Sequence, residues 1–418
     1  MAGRIRVLDS ANRTMQRLGY LKVLAALVNE NQTSNLETLG KRLIAQVTHR
    51  VRLGPPFGED LQEYARTRLT DGVYKELRQT ILENAAPIGV ELQDMYLADR
   101  TLPSSTGKLV ETDWGKYAYL GTALQLIKKG TYSALTRSLV LLAVTPKAEL
   151  AAFSELDRQH NPMRISDSQA AVLLYCLLDN DAEVFLPLLQ AVIKEGVEPF
   201  DERLAGDLLP EILRQVMVTH SKRSLPVAER ERLAALEKVA ANVAAWKGKP
   251  YTGGSAREKN VRVRLEPYCD LGLLTKPARD RYEYRISEGA TILVGRVNKF
   301  PSVEQFLQEG FFAAFAACRG MKVREATEAQ ATKALVEAGE ALKSSLGYSP
   351  ITDVGLLAGT RLLTEKKRVL ELGRTLELLK ALQKQDPDFV RFTVDRSGAM
   401  AHVKFLKRAP GAKTCKKP

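Results

Sequence analysis

Residues 257–299, REKNVRVRLEPYCDLGLLTKPARDRYEYRISEGATILVGRVNK, constrain the fold more than any other stretch, because residue order and not composition sets them apart. Val261, Leu265, Tyr268, Cys269, Leu271 and Leu273 recur at the spacing of one helical face, and Gly272 is the residue type on which helices stop. A charged loop, Thr275 to Arg281, follows. Tyr282, Tyr284 and Ile286 then alternate with charged neighbours, as in a half-buried strand. Ser287-Glu288-Gly289 opens a further apolar run. The segment predicts a helix, a charged turn, a strand and another helix.

A basic helix ending in Leu271-Gly272-Leu273-Leu274, a charged turn, and an alternating strand closed by Ser287 and Gly289 resembles the third helix and wing of the winged-helix DNA-binding superfamily. The resemblance covers residues 257–299 at superfamily level. It implies that Arg257, Lys259, Arg262 and Arg264 lie at the start and on the exposed face of a helix that enters a major groove. It further implies that Lys276, Arg279 and Arg281 flank a wing and meet backbone phosphate. Winged helices also dock proteins, so the fold alone does not carry DNA binding.

The C-terminal third repeats the layout with different residues. Helices are predicted over Glu328–Leu346, Ile351–Leu363 and Glu365–Lys384, with a break at Gly347-Tyr348-Ser349-Pro350. Phe389–Val394 and Ala401–Phe405 alternate apolar and polar residues around Asp395-Arg396-Ser397-Gly398, which predicts a β-hairpin. Three helices and a hairpin are again winged-helix order, over residues 328–406. On that resemblance Lys366 and Lys367, followed by Arg368 and Arg374, supply the charge of the recognition helix, and Arg391, Arg396 and Lys404 are outward positions on the hairpin.

Charge supports a polyanionic partner through its distribution. The formal net charge is +13, with nine basic against three acidic side chains in residues 1–55, ten against six in 256–299 and eight against one in 390–418. The rest of the chain carries no excess. Clustered cations displace phosphate counterions, so this segregation points to nucleic acid, and the winged-helix resemblance implies that the partner is duplex DNA. No apolar run reaches the length needed to cross a bilayer and the N-terminus lacks the apolar core of a secretory signal, so a cytoplasmic protein is expected, with no membrane partner.

At 418 residues the chain is long enough for several domains. The expected fold class is mainly α: a multi-domain helical protein with one or two winged-helix units and short β-hairpins. Residues 1–54 read as a basic helical segment, with helices over Leu18–Val28 and Asn35–Val47 that could form a helix-turn-helix pair or a plain helical hairpin. Residues 59–223 read as a net-acidic central helical domain, 224–299 as a winged-helix-like domain, 300–327 as a helical connector, and 407–418 as a disordered basic tail. Within the central block, helices are predicted over Glu59–Arg68, Asp71–Asn84, Tyr117–Lys129, Ser133–Ala143, Ser166–Leu178, Val184–Ile193 and Leu204–Val218. The longest predicted helix is Leu225–Trp246. The acidic helical block is the expected surface for a protein partner.

No chemistry announces itself. Cys176 and Cys269 lie on apolar helix faces as small hydrophobes, the four histidines are scattered, and no phosphate-cradling loop or zinc spacing occurs. No catalytic residue, metal site or cofactor is expected. These observations favour a non-catalytic DNA-binding protein, the DNA-engaging subunit of a larger DNA-processing or antiviral defence assembly. Alternatives are a winged-helix transcriptional regulator and a metal-dependent nuclease built from Asp388, Asp395 and Lys404.

Overall fold

The computed structural model describes residues 4–8, 18, 21, 25, 127–128, 131–132, 134–142, 165–246, 256–276, 283–395 and 398–406. Helix makes up 65% of this part and the strands are short, so the protein is mainly α with short β-hairpins, as the periodicities predict. The helices expected over Asn35–Val47, Glu59–Arg68 and Asp71–Asn84, and the tail after residue 406, lie outside the described residues. The chain divides into two compact units, Met1–Asn298 and Lys299–Pro418.

In the first unit, β1 (Ile127–Lys128) and β2 (Thr131–Tyr132) pair ahead of helix α1 (Ala134–Leu141). β1 stands where the end of a helix, Tyr117–Lys129, is expected; Gly130 follows in sequence, a residue that favours a hairpin turn over a helix. Helix α2 (Asp167–Glu195) runs unbroken through the two helices predicted at Ser166–Leu178 and Val184–Ile193. Ser166 caps it: its hydroxyl accepts from the Gln169 N–H, the Gln169 side chain returns to the Ser166 N–H, and left-handed Gly196 ends the helix. Between the two apolar runs the polar residues do not break the helix, because Asn180 donates back to the Cys176 carbonyl and its neighbours find partners elsewhere. Ala170 to Leu178 are all buried, as suits a helix apolar on every side.

β3 (Phe200–Asp201) leads straight into α3 (Glu202–Ser221), whose first turn Asp201 caps through the Leu204 N–H. Then come α4 (Val227–Ala244), α5 (Ala256–Asp270), β4 (Leu274–Thr275), β5 (Glu283–Ile286) and α6 (Glu288–Val297), the last capped by Ser287. The helix and strand expected around Val261 are present, and the helix stops where Gly272 accepts a φ of 69°; residues 277–282 of the expected charged turn lie outside the described residues. The domain boundary expected at 223/224 is absent. β5 pairs with β3 as well as β4, bringing Phe200 opposite Tyr284, and Tyr268 of α5 stacks on Phe185 of α2. A two-residue strand carries no alternation, so periodicity does not register β3.

The second unit opens with α7 (Val303–Glu309) and α8 (Phe311–Cys318), which bury Phe306, Phe311, Phe312 and Phe315. These residues belong to the unit's core and are not a connector. There follow β6 (Arg324–Glu325), α9 (Glu328–Leu342), β7 (Ser349–Pro350), α10 (Ile351–Lys366), β8 (Arg368–Val369), α11 (Gly373–Gln385), β9 (Val390–Val394) and β10 (Met400–Phe405). The helix expected over Glu365–Lys384 therefore starts later, at Gly373, with Glu365 and Lys366 ending α10 and β8 lying between. Lys367 takes a left-handed φ of 54°, β8 runs parallel to β6, and the Glu371 carboxylate turns inward to accept from the Phe312 and Ala313 N–H groups at 3.0 and 2.8 Å. Orphan N–H groups at the start of α8 gain acceptors that way, and the chain cannot stay helical while it supplies them.

Both units order their three-stranded antiparallel sheets alike. The last strand lies between the first and the middle one, β3-β5-β4 in the first unit and β7-β10-β9 in the second. In each, a helix precedes the first strand and two or three helices separate it from the hairpin.

Candidate nucleic-acid interface

Helix α5 holds four of the expected DNA contacts, and the structure places it inside the first unit. Every residue from Asn260 to Cys269 whose side chain is described is buried. Arg262 faces Glu202 at the start of α3 and donates two hydrogen bonds to its carboxylate, at 2.6 and 2.7 Å. Arg264 has a side chain 0% exposed, so it has no access to a groove. Its Nε sits 2.9 Å from Asp181 Oδ2, Nη1 donates to the Asn260 carbonyl and Nη2 to the Leu8 carbonyl. Lys276 lies 2.9 Å from Glu266 Oε1, which also accepts from the Tyr284 hydroxyl, and its ammonium stands over the Tyr284 ring. Arg262, Arg264 and Lys276 are thus not on an exposed face. Each neutralises a buried carboxylate, and pulling it out to meet phosphate would strand that charge in a low dielectric at several kcal/mol, roughly 3–5. Arg257 and Lys259 sit on α5 by backbone position, and their side chains, like Arg279 and Arg281, lie outside the described residues.

The opening segment is also drawn inward. Arg4–Leu8 runs extended along the polar middle of α2, with Ile5 and Val7 fully buried. Arg4 donates to Asp179 and Asn180 at 2.7 and 2.6 Å, the Arg6 N–H to Glu183, the Ile5 N–H to Glu229, and the Leu8 N–H to Asp181. The acidic run in α2 and the basic run at residues 4–6 thus neutralise one another. Asp181, wholly enclosed, has its carboxyl pushed up to about 6 by burial, against the pull of Arg264.

In the second unit the cations remain outside. Helix α11 buries Thr375, Leu378 and Leu379 and exposes Arg374, Glu377, Lys380 and Lys384. At 100° per residue the four charged positions fall within about a third of the circumference, opposite the apolar stripe. The chain passes from α11 into β9 by a four-residue connection, and the Gln383 side chain donates to the Val390 carbonyl. On the hairpin Arg391 is exposed and pairs in register with Lys404. Lys404 is half-buried, its ammonium 5.1 Å from the centre of the Tyr348 ring and donating to the Leu346 carbonyl, so it braces the hairpin against residues 346–348. Arg396 lies outside the described residues. Lys366 and Lys367 are exposed but end α10, so the helix-borne charge belongs to Arg374, Lys380 and Lys384. Their spacing against Leu378 and Leu379 is the signal in the sequence that picks out the last two.

The nuclease arrangement does not assemble. Asp388 and Asp395 stand beyond opposite ends of β9, a strand that itself spans about 13 Å at strand rise. Asp395 instead accepts from the Ala399 N–H to close the hairpin turn. Among the described residues no group of three or more His, Cys, Asp or Glu side chains could hold a metal ion, and no helix is long and apolar enough to cross a membrane. Cys176 and Cys269 are buried, as their apolar helix faces predict. No protein-family model, curated protein or solved structure matches the chain.

Proposed function

We propose that this is a DNA-binding protein that engages duplex DNA through its second unit, with α11 as the groove-facing helix and the β9–β10 hairpin as the wing. One observation carries the reading. Helix α9, strand β7, helices α10 and α11 and a hairpin, with the last strand between the other two, reproduce winged-helix order, and the helix in the recognition position exposes Arg374, Lys380 and Lys384. The basic composition after residue 390 adds to the attraction for phosphate. The first unit has the same strand order, but in its corresponding helix, α5, the described side chains from Asn260 to Cys269 are buried. That unit, with its net-acidic helices, suits protein docking and makes the chain the DNA-engaging subunit of a larger assembly.

Fluorescence anisotropy of the full chain with a 20-base-pair duplex, titrated over salt, tests this. The wild type is expected to bind at low salt with affinity falling steeply as salt rises. R374A/K380A/K384A is expected to weaken binding at least about tenfold and to reduce the log–log salt slope by roughly 2 to 3, near 0.9 for each phosphate no longer neutralised. A wild type that leaves the duplex free at low salt overturns the proposal.

A further inference from the structure

We propose that the parallel ladder of β6 and β8 is a second DNA-phosphate site, distinct from the helix face and the wing; the inference rests on the DNA-binding reading above. The ladder pairs Arg324 with Arg368 in register, through the Arg324 N–H to the Lys367 carbonyl and the Ala326 N–H to the Val369 carbonyl. Neighbouring strands stand about 4.8 Å apart and paired residues project to one face, so two arginine side chains leave the backbone side by side. Glu325 and Val369 take the opposite face. Lys366 and Lys367 are exposed at the end of α10 beside this pair, and Lys322 is exposed two residues before Arg324.

Like charges directly opposed on a ladder destabilise it unless something neutralises them. In the first unit the buried cations have carboxylates: Arg262 has Glu202, Arg264 has Asp181, Lys276 has Glu266. Arg324, Arg368, Lys322, Lys366 and Lys367 have none within ion-pair distance among the described residues. The Arg368 guanidinium reaches only the Glu325 carbonyl, at 3.5 Å, and the Lys367 ammonium the Thr364 carbonyl, at 3.3 Å. Five cations within two short segments without a counter-charge suit an anion from outside the chain. Guanidinium groups side by side match the oxygens of a phosphodiester, which accept paired N–H donors. Lys367, left-handed without being glycine, fixes the sharp exit from α10 that lays Arg368 alongside Arg324. Because β8 lies between α10 and α11, a strand gripped here is held next to the start of the helix proposed to read the groove.

The test uses the full chain and the same duplex. R324A/R368A is expected to lower affinity about tenfold near 0.1 M salt and to reduce the salt slope by about 2, with its melting temperature unchanged or raised by relief of repulsion. In parallel, Arg Nε–Hε resonances of the wild type are followed as duplex is added, and those of Arg324 and Arg368 are expected to shift. Unchanged slope and unmoved resonances in a chain that binds DNA overturn the ladder site and leave α11 standing. Binding that the ladder pair abolishes and the α11 triple leaves intact upholds the ladder and overturns the α11 reading. A chain that does not bind the duplex overturns both.

Discussion

Asp181 is enclosed by the Leu8 backbone, Arg264 and the body of α2, and its proton affinity follows from that enclosure. Burial raises the carboxyl from its ordinary 3.8 to about 6 in the folded chain. The folded state therefore holds this proton at pH values where the unfolded chain releases it. By linkage, the contribution of Asp181 to stability is fully present below about 3.8 and is lost as the pH rises through about 6. Asp181→Asn removes the titration while keeping the shape. Urea midpoints of wild type and variant measured from pH 4 to pH 7 are expected to diverge across that window, the wild type losing stability relative to the variant as pH rises. Parallel curves would show that Asp181 ionises as freely in the fold as outside it.

Helix α10 is closely pressed at two glycines. A Cβ added at Gly359 would fall on the Phe312 ring and within 2.9 Å of the Leu370 carbonyl oxygen, which belongs to backbone and cannot swing aside. Gly355, one turn earlier, would meet the Thr375 hydroxyl. The absence of side chains at these two positions lets α8, the β8 segment and α11 close on one helix. Gly359→Ala is expected to destabilise the second unit by about 1–3 kcal/mol, overriding the gain of up to about 1 kcal/mol that alanine normally brings to a helix. Gly295 in α6 supplies the contrast, since nothing lies within 4 Å of an added Cβ and Gly295→Ala should stabilise. Opposite signs in denaturant midpoints are the expected result; two stabilising substitutions would mean that α10 has room to spare.

At the scale of the molecule, each unit closes its own apolar core: α2 with α3, α5 and the β3-β5-β4 sheet in one, α8, α9, α10 and the β7-β10-β9 sheet in the other. Calorimetry is expected to resolve two transitions, with Asp181→Asn altering the pH dependence of one and Gly359→Ala lowering the other. A single transition that responds to both substitutions would show one cooperative body. The charge is divided in the same way. The first unit consumes Arg4, Arg262, Arg264 and Lys276 in internal ion pairs, whereas the second leaves Arg374, Lys380, Lys384, Arg324 and Lys366 exposed.

The sequence by itself determined the helices whose apolar residues repeat every three or four positions, the stop at Gly272, the alternating strand at Glu283–Ile286, and the hairpin around Asp395 and Gly398, because each depends on neighbours close in the chain. Local pattern also marked where positive charge is concentrated. Tertiary structure alone decided what that charge does: the partners of Arg262 and Arg264 lie 60 and 83 residues away, at Glu202 and Asp181. Spacing cannot tell a cation that faces water from one that faces a distant carboxylate. It also decided the two-residue strands β3, β7 and β8, too short for any periodicity, which exist only because a longer strand or a second short segment supplies their hydrogen bonds.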